Sequence, residues 1–399
     1  MKSLILFLLI AFCLFLVLPF CSAAHYIVGI VNDAKDGTSA NDRMVVLWNP
    51  VHGINDNLTD IIGVNGNSGT DNIYMIDCEM LDNECDIRDE IKVKVFGDYI
   101  TNPHNLSVTG AGFDVMGNLT LNSPPNVSSI IVDDSAEPPI FPENEIDLVA
   151  ASARTVNCKA VVNELDGDSL QNATAEFFHS SSFYGDSDDN NYHYTNNSCF
   201  INSSYGGESQ SEIVCSFEVE YYATSGNWGC FLIAEDNLST AGNGSDYSFI
   251  NSLLSVGAVS IVDFGIIGVG GVSLEKAINV TNYGNVQINL SLSGYAISEG
   301  DGFAMNCSLG ENILVNYEKY NVTDSNPGSL DLSNFENLYV NLTNSPITRE
   351  FNLNYRQIDG SNDAIHETYW RIYVPTGAGG IGGTCQGNIV LGAVQAPEV

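Results

Sequence analysis

Two acidic stretches carry the densest chemistry in the chain. GDSDDNNYHYTNNSC, residues 185–199, places Asp186, Asp188, Asp189, Asn190, Asn191 and His193 among several hydroxyls. Read as a calcium loop from Asp186, the oxygen ligands at positions 1, 3 and 5 would be Asp186, Asp188 and Asn190. An EF-hand then needs Gly at position 6 and a bidentate Glu at position 12. Asn191 and Asn197 stand there instead, so the EF-hand fails. A looser Ca2+ site on Asp186, Asp188 and Asp189 stays open, because a cation would relieve their mutual repulsion. The favoured alternative is a solvated hairpin tip between the strand near Phe177 and Phe178 and a disulfide at Cys199.

The second stretch, Glu164-Leu165-Asp166-Gly167-Asp168, is either an ordinary Asp-Gly turn or a Ca2+ turn built on Asp166 and Asp168. Further acids, Asp77, Glu79, Asp82, Glu84 and Asp86, crowd around Cys78 and Cys85 without diagnostic ligand spacing. No residue set points to catalysis. The histidines, 25, 52, 104, 179, 193 and 366, form no H-E-x-x-H, and neither a G-x-S-x-G elbow nor a G-x-x-x-x-G-K-[ST] loop occurs. The glycines at 265, 268, 270 and 271 lie between β-like runs with no helix following, so phosphate cradling has no support. Paired carboxylates for glycoside hydrolysis would have to meet in space, which spacing does not reveal. A non-catalytic protein is expected.

The elements that must position these residues begin after a leader. Met1 and Lys2 precede an apolar run from Leu4 to Leu18, then Pro19 and the small exit Ser22-Ala23-Ala24. This is a secretory signal, residues 1–24, with cleavage expected after Ala24. Lipid attachment at Cys21 is disfavoured by the bulky Phe20 before it. The mature chain is therefore expected outside the cytoplasm, secreted or at the cell surface. No later segment reads as a membrane span: Leu253 to Val272 contains Asp263 and five glycines. The formal net charge is -36 with 13 Lys plus Arg and no basic patch, which excludes nucleic-acid binding.

With Cys13 and Cys21 lost in the leader, eight cysteines remain: Cys78, Cys85, Cys158, Cys199, Cys215, Cys230, Cys307 and Cys385. An even count in an exported chain implies disulfides. Bridges confined to sequence clusters of two, four and two leave three arrangements. We favour 78–85, 158–230, 199–215 and 307–385. A zinc site lacks any C-x-x-C pair.

Alternation dominates the mature chain. Val286, Ile288, Leu290 and Leu292 interleave with polar residues, as do Ile91-Lys92-Val93-Lys94-Val95 and Trp370-Arg371-Ile372-Tyr373-Val374. Each reads as a strand with one buried and one wet face. Short strands punctuated by Gly, Asn, Asp and Ser imply an all-β fold of tandem Ig-like β-sandwiches. Breaks at Ser123-Pro124-Pro125 and after Asp236-Asn237-Leu238-Ser239 divide it into 25–123, 124–252 and 253–399.

Three stretches resemble known families. YIVGIVNDAKDG (26–37) is similar to the opening of transthyretin-like, carboxypeptidase-regulatory domains. AVVNELDGDS (160–169) and WGCFLIAEDN (228–237) resemble cadherin-like and Ig-like domains of prokaryotic surface proteins. VDFGIIGVGGVSLEKAINVTNYGNVQINLSLSG (262–294) resembles hydin-type Ig-like domains of archaeal envelopes. As a whole the chain resembles Asn-rich, multi-Ig-like envelope proteins of small-genome archaea. The cadherin resemblance implies calcium at Asp166 and Asp168. Trp228, two residues before Cys230, departs from the antibody pattern and puts strand order in doubt.

Fourteen N-x-S/T sequons occur, at Asn57, Asn105, Asn118, Asn126, Asn172, Asn196, Asn202, Asn237, Asn243, Asn279, Asn289, Asn306, Asn321 and Asn341. Glycans require exposure, and Asn118, Asn279, Asn289 and Asn341 fall on the polar phase of their strands. The expected role is a glycosylated, acidic surface protein for adhesion or envelope structure, with other surface proteins or glycans as partners. A filament or S-layer-like subunit is the alternative, self-assembling by strand complementation with His25–Val31 as donor. A carbohydrate-binding module is another, and would show Trp48, Tyr192, Tyr194 or Phe183 as an exposed platform.

Overall fold

Alternating runs become strands, and those strands pair mostly antiparallel. The computed structural model describes residues 24–97, 99–110, 112–134, 145–207, 209–357, 364–377 and 380–397. The expected leader lies outside these residues except for Ala24. The architecture is all-β, in tandem sandwiches pinned by disulfides.

The first sandwich contains β1 (Tyr26–Asn32), β2 (Met44–Trp48), β3 (Asn57–Ile61), β4 (Ile73–Asp77), β5 (Glu90–Val95), β6 (His104–Ser107), β7 (Phe113–Val115) and β8 (Leu119–Thr120). Its sheets are ordered β4-β1-β7, with β8 also pairing β1, and β3-β2-β5-β6. The period of 2 in β5 sends Ile91, Val93 and Val95 into the core with Ile27, Leu47 and Tyr74. β1 is held on both edges, antiparallel to β4 and parallel to β7 and β8. The expected donor strand is thus already spent within its own sandwich. Cys78 and Cys85 are joined just after β4.

The second comprises β9 (Asn126–Asp133), β10 (Glu145–Ile146), β11 (Arg154–Asn163), β12 (Leu170–His179), β13 (His193–Asn196), β14 (Phe200–Asn202), β15 (Gln210–Val219), β16 (Gly226–Asp236) and β17 (Ala241–Ile250). The sheet orders are β10-β17-β16-β12-β13 and β14-β15-β11-β9. Trp228 fills the centre, its ring 4.9 Å from that of Phe177, and its indole N–H donates to the Thr224 carbonyl at 2.8 Å. Truncating such a residue to Ala costs about 3–5 kcal/mol. Cys158 on β11 bonds Cys230 on β16, tying one sheet to the other, and Cys199 bonds Cys215.

The third contains β18 (Val256–Ala258), β19 (Lys276–Asn282), β20 (Ile288–Tyr295), β21 (Phe303–Gly310), β22 (Ile313–Leu314), β23 (Glu318–Asn321), the short helix α1 (Leu332–Leu338), β24 (Val340–Asn341), β25 (Ile347–Leu353), β26 (Ile365–Ile372), β27 (Ile381–Gln386) and β28 (Asn388–Gln395). Three sheets form, ordered β18-β19-β26-β23-β24, β25-β20-β28 and β22-β21-β27. Cys307 on β21 bonds Cys385 on β27.

Two strands depart from the expected wet face. In β26, Trp370 faces the core, yet Arg371 on the other face is also fully buried. The segment before and within α1 covers that face. The Arg371 guanidinium donates to the carbonyls of Ser273 (2.6 Å), Gly328 (2.8 Å) and Asn326, and to the Tyr339 hydroxyl (3.1 Å). α1 itself starts at Asp331, whose carboxylate accepts the Asn334 N–H at 2.8 Å. In β20, Asn289 is buried rather than exposed, at a register shift in the β20–β25 pairing. Its side-chain amide oxygen, Oδ1, accepts the N–H groups of Phe351 (2.9 Å) and Asn352 (3.0 Å) at the bulge.

Candidate functional site

The acidic turn at 164–168 lies where the first sandwich meets the second. The chain leaving β8 arrives at Asn122 and Ser123, both buried. There it meets the β11–β12 turn and the β16–β17 turn. Asp236, fully buried, accepts the N–H groups of Leu238 and Thr240, the Thr240 hydroxyl at 2.6 Å and the Asn122 side-chain amide at 2.6 Å. Asp166 accepts the Ser123 N–H. From the first sandwich, Lys35 reaches over and donates to the Leu165 carbonyl at 2.9 Å. A cavity of about 340 Å3 opens beside it, bordered by Lys35, Asp166, Asp168, Asn122 and His104.

Burial first, and then charge crowding, act on the acids of this joint. Burial pushes Glu164 up to about 7, with Asp236, Asp166 and Asp168 adding repulsion. Asp168 is raised by burial, then by Asp236 and Asp166, while Lys35 pulls it back. The Lys35 ammonium and partial protonation of Glu164 near neutrality reduce the negative charge of the joint without cancelling it. Among the described residues, no three His, Cys, Asp or Glu side chains form a group that could hold a metal ion; Ca2+ at Asp166 and Asp168 stays a proposal.

Asp186 and Asp189 each have backbone partners. Asp186 accepts the Phe183 N–H (2.8 Å) and the Ser182 hydroxyl (3.0 Å), and these bonds hold it below the usual carboxylate range. Asp189 accepts the Asn191 N–H at 2.8 Å. The tip through Asp189 is exposed, but the rest is no solvated loop. Asn191 is fully buried and donates to the carbonyls of Tyr222 (2.9 Å) and, in the third sandwich, Arg356 (2.8 Å). His193 is buried, stacked on Phe178 and 3.2 Å from the Glu176 carboxylate. The segment is therefore part of the second joint, where Asn285 also donates to the carbonyls of Ala223 and Asn251, each at 3.0 Å.

No protein-family model matches this chain. No curated protein matches it either. Among solved structures, it is similar to the major pilin subunit of Bacillus cereus, with 7% identity over 67% of this chain and 76% of that one and a TM-score of 0.30. It is similar to the T6 backbone pilin of serotype M6 Streptococcus pyogenes, with 9% identity over 92% and 95% and a TM-score of 0.29. A Ca2+-stabilized adhesin with which an Antarctic bacterium binds ice gives 12% identity over 68% and 61% and a TM-score of 0.21. Likeness this slight assigns no function.

The sequon asparagines are exposed, apart from half-buried Asn196, Asn202 and Asn321 and buried Asn289. Of the candidate sugar platform, Trp48 and Tyr194 are core residues and Tyr192 is half-buried, so Phe183 is left exposed without a flat partner from that set. One residue was missed by sequence reasoning. Glu318 is 2% exposed inside the third sandwich. Its signal is register alone: two residues before the core residue Tyr320 on a strand, it must face the same way.

Proposed function

We propose that the protein is exported and acts without catalysis, presenting an acidic, glycosylated surface to other surface proteins or glycans outside the cell. Its units are taken as 25–123, 124–252 and 253–399. The observation that carries this reading is the construction of the two joints. Buried side chains of one sandwich bond the backbone or side chains of the next, Asn122 with Asp236 at one and Asn285 with Ala223 at the other. Such joints tie each sandwich to the next, which suits a display scaffold better than independent domains on loose linkers would. Assembly with other copies remains compatible, but not through β1, which is paired on both edges.

Fractionation of native cells tests the proposal. The protein should be removed by protease added to intact cells, and its mass should exceed that of the polypeptide. Unmodified protein protected inside the cell would overturn it.

A further inference from the structure

The third sandwich holds a cavity that the proposed display role does not use. Its volume is about 520 Å3, within the range of small-molecule sites. It sits at the seam between two sheets: Ile278 and Glu318 come from one, Ile389 and Leu391 from the edge strand β28 of the other. The irregular segment 259–264 supplies Val262 and Phe264 as a further wall. Ser260, Gln386 and Asn388 are exposed, so the rim is polar and open to solvent while Ile278 and Glu318 lie buried at depth.

Glu318 is the feature that selects a ligand. Among the described residues lining the cavity it is the one ionisable side chain, Cys385 being tied up in its disulfide. One of its carboxylate oxygens is sealed from solvent and has no hydrogen-bond partner. The next residue, Lys319, points to the opposite face of the strand and pairs with Glu336 at 2.5 Å, so it does not neutralise Glu318. No other charge shifts its titration; burial alone raises it, to about 8. A buried carboxyl without a partner is costly as an anion, and a cation that reaches it from the rim, once a lining side chain shifts to admit it, would remove that cost. Anionic ligands are disfavoured by the net charge of -36.

We propose that this cavity binds an ammonium group carried on an aliphatic stem, the stem lying against Val262, Phe264, Ile389 and Leu391 and the ammonium pairing with Glu318. A free alkylamine and a lysine side chain of another polypeptide share this chemistry. Binding couples to protons: the empty site holds a proton on Glu318 at neutral pH and releases it as the ammonium enters.

Calorimetric titration of the full chain with n-pentylamine tests the site, with a blocked lysine peptide as a second arm and n-pentanol as the neutral control. The expected result is that pentylammonium binds, with affinity rising from pH 6 to about 8 and falling above the amine's own pKa of about 10.4. Proton release should show as a dependence of heat on buffer. Glu318→Gln should weaken binding about 10- to 100-fold, as loss of a charged hydrogen bond does. Binding by the lysine peptide as well would assign the site to a polypeptide partner; binding by the amine alone would assign it to a free ligand. No binding, equal binding of pentanol, or binding without proton release would each overturn the proposal, the last without reliance on any variant.

Discussion

Lys319 and Arg371 sit directly opposite one another on the antiparallel strands β23 and β26, both almost fully buried. Like charges so placed destabilise a sheet. The structure offsets them separately. Lys319 pairs with Glu336 and lies 5.2 Å from the Phe335 ring centre, whereas Arg371 is wrapped by carbonyls and by Tyr339, which donates to Glu275. Glu336→Gln should destabilise the protein by about 2 kcal/mol, less than a fully buried pair because Glu336 is half-exposed. Lys319→Met should be near neutral, since it removes both the charge and its need for a partner. Urea unfolding midpoints compare the two; equal losses would contradict this assignment.

Glu318 makes a pH signature of its own. Its carboxyl is raised from the ordinary 4.5 to about 8 by burial. The folded state therefore binds more protons than the unfolded state between those values, and stability falls as pH rises through the window, levelling above it. Glu318→Gln should match the wild type near pH 5 and exceed it at pH 8.5. Unfolding midpoints of the two proteins across this range, compared as a difference, check the sign.

Asn289 should escape glycosylation although its sequon is intact. A glycan on its side-chain amide would have no room, because that residue is 8% exposed and its oxygen serves two backbone N–H groups. Peptide mapping of native protein should find Asn118, Asn279 and Asn341 modified and Asn289 bare. Asn289→Ala should cost about 1–3 kcal/mol by stranding those donors.

The first joint should loosen when Asn122 is truncated. Asn122→Ala removes the bond to Asp236 and is expected to cost about 1–2 kcal/mol. Limited proteolysis should then cut near 122–125, where the wild type resists. Glu164→Gln should have the opposite effect above pH 7, because it abolishes the repulsion with Asp236, Asp166 and Asp168.

Chelation should leave both acidic segments unmoved. The carboxylates of Asp166, Asp186 and Asp189 accept backbone N–H groups, and Lys35 acts on Asp168. A melting temperature unchanged by EDTA at low ionic strength is the expected outcome. A clear fall would show a cation bound there.

Much of the fold was legible because period-2 hydrophobicity acts locally: β5 read directly as a half-buried strand. What covers a strand's second face is not local. Nothing near Arg371 announces that residues 326–339, some forty positions earlier, will lie over it. The bulge that buries Asn289 depends on a partner strand about sixty residues away. The acidic turn 164–168 was recognisable as a turn, but its counter-charge, Lys35, is set 130 residues from Leu165. Register alone turns Glu318 inward, but its surroundings come from five other strands and an irregular segment and could not be read locally.

The parallel pairing of β1 with β8 has a mechanical consequence. The chain enters the first sandwich at the start of β1 and leaves it past the end of β8, and Val31 and Leu119 are in register between them. Tension applied along the chain therefore pulls these neighbours in opposite directions along their length. Their cross-links are loaded together in shear instead of being unzipped one by one.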